Sequence, residues 1–285
     1  VADGTSSAPI TFTALNPEKV SSESVNSDTG SATGTGVLET RGKWGGLIIL
    51  GKATINKGSG SPLTNDIEGL TSVPYGGSDD TDNSGTLTYV RVWYGGADIS
   101  PDPSDPENSG NEINGITFGG VGSGTTVNNC EVAFNLDDGF EFFGGTVSAS
   151  YLSSVFNGDD AFDTDQGYTG TLSNIFALID SAGHHAAEMD SYSSSAPDTT
   201  PRSSPTVTGA TFIKADHTAQ TSDGLMRLRE GTGGTFTGML LMGKAGSGVQ
   251  SKDCGTETKS TTDDTADLYF ESSSSVVSLT DMTGS

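Results

Sequence analysis

The stretch "NGDDAFDTDQG" (157–167) places Asp159, Asp160, Asp163 and Asp165 within seven positions and offers no neighbouring base. Carboxylates this close suit three kinds of chemistry. They hold a hard cation such as Ca²⁺, which takes six to eight oxygen ligands. They keep protons through raised pKa values, as a general acid and base do. Or they cap turns by accepting backbone N–H groups. "DDGFEFF" adds Asp137, Asp138 and Glu141 upstream, and "HHAAEMD" adds His184, His185, Glu188 and Asp190 downstream. Histidine beside carboxylate is also a donor set for zinc or copper, although a pair of exposed turn histidines is the simpler reading.

These residues are far apart in sequence, so an element must bring them together. A small, Thr-containing start followed by alternating residues recurs as "GTLTYVRVWY" at Gly85, "TTVNNCEVAF" at Thr125, "GTVSASYLSSVF" at Gly145, "GTLSNIFALI" at Gly170, "PTVTGATFIK" at Pro205 and "GTFTGMLLMG" at Gly234. Each has the period-2 pattern of a half-buried strand, and a polar turn and a second short strand follow it. Spacings of roughly 20 to 40 residues suit one coil of a solenoid plus variable loops. No amphipathic helix of convincing length interrupts the pattern. The sequence therefore predicts an all-β chain, a single right-handed parallel β-helix over residues 1–285. Polar loop insertions are expected near 97–111, 191–205 and 251–267, projecting from the coil.

Stacking the second strands by their turns puts Asp137-Asp138 over Asp159-Asp160, and those over His184-His185. Glu141 then lies over Asp163 and Glu188, and Phe143 over Asp165 and Asp190. Alternation turns Phe140, Phe142, Phe162, Ala187 and Met189 inward and the carboxylates outward together. Charges about 5 Å apart repel by about 3 kcal/mol at an effective dielectric near 20, and no nearby Lys answers them. Calcium is the expected cofactor, with Asp137, Asp138, Glu141, Asp159, Asp160, Asp163, Asp165, Glu188 and Asp190 as candidate ligands. Turn capping competes for Asp137, Asp138, Asp159 and Asp160. It suits Asp163, Asp165 and Glu141 less well, because they alternate on a strand.

Composition narrows the partners. Against 37 acidic residues stand only 13 Lys and Arg, for a net charge of −24, which excludes nucleic acid and an anionic membrane surface. No apolar run approaches the roughly 18 residues of a membrane span. The expected partners are polysaccharide, other surface components, or copies of the chain stacked end to end through an open coil edge. The start at "VADGTSSAPITFTAL" reads as a mature or trimmed chain of a secreted protein. Cys130 and Cys254 match neither a zinc site nor a redox CxxC pair, and form either one disulfide or two buried thiols.

"PITFTAL", "RGKWGGLIILGKATIN", "SGTLTYVRVWYGG", "NEINGITFGGVGSGTTVNNCEVAFNLDDGFEFFGGTV" and "DDAFDTDQGYTG" resemble a family of secreted bacterial β-helix surface proteins and lipoproteins of uncharacterised role. That resemblance spans roughly residues 8 to 245 and implies the fold and an extracytoplasmic location, not a reaction. Taken with the acidic column, the chain is expected to be a secreted or cell-surface, calcium-stabilised β-helix in a structural, adhesive or glycan-binding role, able to self-assemble. A second resemblance is to polygalacturonase-like glycoside hydrolases. In those enzymes an Asn-x-Asp, a Gly-Asp-Asp, a Gly-His-Gly and an Arg-x-Lys strand follow one another; here "NLDDG", "NGDDA", "AGHHA" and "MRLRE" do. It implies Asp160 as general acid, Asp138 and Asp159 as bases, His184 as the tuning residue, and Arg227 with Arg229 as substrate clamp. The first motif has an extra residue, the third has His for Gly, and the fourth ends in Arg rather than Lys. A calcium-dependent lyase using the same acidic column with Arg227 is the related alternative.

Overall fold

A computed structural model describes residues 1–14, 41–99, 113–180, 182–214, 224–243, 247–251 and 268–271. Among these residues every regular element is a strand, and the strands stack in parallel as two long sheets. One sheet carries the repeat copies in register, with Leu87, Val127, Ala149, Leu172, Val207 and Phe236 in one column. The other stacks Leu47–Leu50, Ile116–Gly119, Phe140–Phe143, Phe162–Asp165, Ala187–Met189, Gly224–Leu228 and Ser247–Ser251. Each coil adds one layer to both sheets, which makes the chain a right-handed parallel β-helix.

The coil bends where single residues adopt left-handed backbone. Within the first sheet the bend falls on Tyr89, Asn129, Tyr151, Asn174, Gly209 and Gly238, one per coil and all with φ between 50° and 69°. L-residues adopt this conformation at a cost of about 1–2 kcal/mol, which Asn lessens and Gly avoids. A second column of bends, at Tyr94, Phe134 and Phe156, stacks its rings 5.3 and 5.5 Å apart.

The interior is a file of aromatic and aliphatic side chains. Phe118 stacks on Phe142 at 4.9 Å, Phe140 on Phe162 at 5.4 Å, and Phe142 meets Tyr168 at 4.8 Å. Phe140, Phe142, Phe162, Ala187 and Met189 all point into this core, as the alternation requires.

Residues 51–84 form an excursion that the sequence reading does not single out. They carry a small antiparallel pair, Asn65–Asp66 with Pro74–Tyr75. Ile55, Ile67 and Tyr75 pack on the outward-facing Phe143 as a second apolar cluster. The excursion thus roofs the outer face of the second sheet.

Of the three expected loops, 191–205 is described, and it does not project freely. Ser203 Oγ accepts the Gly167 and Tyr168 amides, and Asn56 Nδ2 donates to the Ser191 and Pro201 carbonyls, so the loop is tied back to the coil. Residues 100–111 and 252–267 lie outside the described residues. Cys130 is a buried free thiol whose pKa burial pushes up to about 11, whereas Cys254 lies outside the described residues.

Candidate functional site

The turn before each second-sheet strand is built by side chains that reach one coil along. The Asn135 amide donates to Asn157 Oδ1 at 3.0 Å, the Asp160 amide to Asp138 Oδ1 at 2.8 Å, and the His185 amide to Asp160 Oδ1 at 2.5 Å. His185 Nδ1 lies 2.9 Å from the same Asp160 oxygen. Gly139 is required here, because a Cβ would sit 2.1 Å from Ser154 Oγ. Asp138 and Asp160 are only 6% and 2% exposed. Capping, one of the roles the sequence leaves open for them, is therefore work these two residues do. Asp137 and Asp159 are the partly exposed members of each pair.

Along the strands that follow, the register is Thr117, Glu141, Asp163, Glu188, Arg227, Gln250 on the outward face. Glu141, Asp163 and Glu188 stack as alternation requires, and Asp165 pairs with Phe143. Two expectations need correction. The outward column is not left open: Glu141, Glu188 and Asp190 are buried, and Glu141 and Asp190 line a cleft with the 51–84 excursion. Nor does it lack cations, since the next coil supplies two. Arg227 Nη1 is 2.9 Å from Glu188 Oε1, and Arg229 reaches Glu188 Oε2 at 3.0 Å and Asp190 Oδ2 at 2.8 Å. Lys57 approaches Asp165 at 3.9 Å.

Those pairs answer one end of the column only. Among the described residues no Lys or Arg forms an ion pair with Asp138, Glu141 or Asp163. Carboxylate oxygens of Asp138, Glu141 and Asp163 lie within 4.8 Å of one another, as do those of Asp160, Asp163 and Glu188, with Asp163 common to both sets. Glu141 accepts a hydrogen bond from Asn114 Nδ2. Asp163 Oδ1 and Asp165 Oδ1 are buried and have no hydrogen-bond partner.

Burial holds Asp138, Glu141, Asp160 and Asp163 well above the usual carboxylate range, and the neighbouring carboxylates add to it. Asp165 is raised by burial as well. Asp190 is pushed up to about 7, because burial outweighs its two hydrogen bonds from Arg229. Burial works to lower the Arg229 pKa, but the bond to Asp190 and the surrounding acids win, and it is raised.

The roof and the column enclose a cleft of about 380 Å³. Glu141, Asp163, Asp165 and Asp190 line the sheet side, and Asn65, Asp66, Glu68 and Tyr75 line the roof. Lys57, Gln166 and Arg229 complete the wall. Tyr75 Oη donates to Gln166 Oε1 at 2.8 Å, which couples roof to coil. Every donor on the sheet side is a hard oxygen, the set that suits Ca²⁺.

The hydrolase-like constellation is only partly assembled. Asp138, Asp159, Asp160 and His184 do share one turn region, with His184 Nδ1 3.3 Å from Asp159 Oδ1. Arg227 and Arg229 are instead engaged by the acidic column, and neither Asp138 nor Asp160 lines the cleft. Sequence reasoning missed Lys57, Asn65, Glu68, Tyr75 and Gln166. The available signal was the interval 51–84 itself, too long for a turn between "LIIL" and "GTLTYVRVWY" and carrying the "NDIEG" and "PYGG" turn residues.

No curated protein and no solved structure matches the chain. One family model does, described as the pectate-lyase-like beta helix domain, and it matches residues 31–283. That span takes in the roof, the acidic column and every coil strand from Leu47 to Glu271, and the chain belongs to this family.

Proposed function

We propose that the protein is an extracellular glycan-binding β-helix whose acidic cleft takes up Ca²⁺ and uses it to hold an acidic sugar. The observation that carries this reading is the pair of buried oxygens on Asp163 and Asp165 without a hydrogen-bond partner, set among carboxylates with which, at the Glu141 end, no Lys or Arg among the described residues forms an ion pair. A hard cation would satisfy those oxygens and relieve the repulsion together. It would also answer the net charge of −24, which otherwise repels an anionic glycan. The volume, at the small end of ligand sites, suits one or two sugar units rather than a long chain. Lys57, which approaches Asp165 only at 3.9 Å, would meet the sugar's own carboxylate. The test is calorimetric titration with short oligogalacturonates and with neutral oligosaccharides, in calcium and in chelator. Binding should be confined to the acidic oligosaccharides, need calcium and vanish in Asp163→Asn. Equal binding in chelator, or none to any acidic glycan, would overturn it.

Membership of the pectate-lyase-like family and the position of Asp190 favour a second reading, in which the bound polysaccharide is cleaved. A cleft carboxyl titrating near 7 transfers protons at neutral pH. Turnover would release reducing ends or unsaturated uronates. Asp190→Asn would then cut turnover far more than it weakens calcium-dependent binding, to which Asp190 supplies only one of the cleft carboxylates.

A further inference from the structure

We propose a second metal site, for an imidazole-preferring divalent ion of the zinc or copper class, at the turn where Asp159 and Asp160 meet His184 and His185. It does not rest on the calcium reading, because its donors include two imidazoles that face away from that chemistry.

The geometry is tight. His185 Nδ1 is 2.9 Å from Asp160 Oδ1, and His184 Nδ1 is 3.3 Å from Asp159 Oδ1 and 4.0 Å from Asp160 Oδ1. The donor atoms of Asp160, His184 and His185 all fall within 4.8 Å of one another. A tetrahedral ion with bonds of about 2.0–2.1 Å needs its ligand atoms roughly 3.3 Å apart. Within the Asp160, His184 and His185 set, the two distances to Asp160 Oδ1, 2.9 and 4.0 Å, lie on either side of that value. Asp159, outside the set, reaches it from His184 and would take the fourth position after a side-chain shift.

Consecutive residues on a strand point to opposite faces, yet these two rings lie 3.9 Å apart on one side. The turn enforces this. The His184 amide donates to the Asp159 carbonyl, the His185 amide to Asp160 Oδ1, and the Ala161 amide to the His185 carbonyl. Lys214 Nζ donates to the His184 carbonyl at 2.9 Å and anchors the turn from the neighbouring sheet. The donors are therefore held by main-chain bonds before any ion arrives.

Access and selectivity follow from the same placement. His185 and Asp160 are buried, while the His184 and Asp159 side chains are 31% and 49% exposed. An ion enters from the His184 side and is closed in by the half-exposed pair. Two imidazoles and a carboxylate, with Asp159 beside His184, suit Zn²⁺, Cu²⁺ or Ni²⁺, whereas the all-oxygen cleft suits Ca²⁺. Bound there, the ion cross-links two successive coils.

The test uses the whole chain stripped with chelator, then titrated with Zn²⁺ in millimolar calcium, and with Cu²⁺ read by electron paramagnetic resonance. One equivalent of zinc should bind despite the calcium, and the copper signal should carry hyperfine structure from two nitrogens. His184→Ala, at a half-exposed position that spares the core, should weaken zinc by more than about 100-fold, beyond what loss of an outer-shell partner does. Asp159→Asn should weaken it less. Asp165→Asn, which alters the cleft and shares no donor group with Asp160, should leave zinc binding unchanged. Zinc binding that survives His184→Ala, a copper spectrum with fewer than two nitrogens, or loss of zinc in Asp165→Asn would overturn the proposal.

Discussion

Asp163 is the residue on which the acidic site turns. It belongs to both carboxylate groups, is held well above the usual carboxylate range by burial, and leaves one oxygen without a partner. In the metal-free protein it is a liability, since each close carboxylate neighbour costs about 3 kcal/mol at an effective dielectric near 20 when both are ionised. Asp163→Asn should therefore raise the melting midpoint of the chelator-treated protein, at neutral pH, by several degrees. A fall would mean that the carboxylate contributes more to the fold than it costs. The stacking of Glu141, Asp163 and Glu188 was legible in the sequence because a strand has a fixed period of two. The arginines that neutralise its far end were not. Glu188 and Arg227 are 39 residues apart with a loop between them, and loop length carries no periodicity from which register can be counted.

At the scale of elements, one left-handed residue per bend and one inward column per strand position specify the coil. The repeat copies beginning with Thr or Gly were visible because β-branched and alternating residues mark strands. The bends were not, since Tyr89, Tyr151 and Asn174 adopt positive φ without any glycine to announce it. Phe142 is a fully buried ring of the interior file, touching Phe118 on one side and Tyr168 on the other. Phe142→Ala should cost about 3–5 kcal/mol in stability, measured by denaturant unfolding. A cost under about 1 kcal/mol would mean that the file can collapse around the gap. The roof over the cleft was invisible for a different reason. Its four strand residues make one short antiparallel pair, and its apolar contact is with Phe143, whose outward direction reads in sequence as an isolated exposed aromatic.

For the whole molecule, acidity becomes a statement about pH. Unfolded carboxyls titrate near 3.9–4.3. Buried Asp138, Glu141, Asp160, Asp163 and Asp190 titrate higher in the fold, Asp190 at about 7. Between those limits the folded state holds more protons than the unfolded chain, so stability falls as pH rises through the window. The melting midpoint in chelator should accordingly decline from about pH 4.5 to about pH 7.5. Calcium should flatten that decline by replacing the protons. A midpoint that rises over this range in chelator would reverse the sign and remove the case for a strained acidic cluster.

The central claim is that the carboxylates beneath the roof are completed by a hard divalent cation. The most direct measurement is thermal unfolding of the stripped protein at about pH 7.5, first in chelator and then in millimolar calcium, beside Asp163→Asn. A ligand that binds only the folded state at 100 times its Kd stabilises by about 2.7 kcal/mol. The wild-type midpoint should therefore rise by several degrees with calcium while that of Asp163→Asn scarcely moves. Equal midpoints for the wild type with and without calcium would contradict the account and leave the carboxylates to their protons.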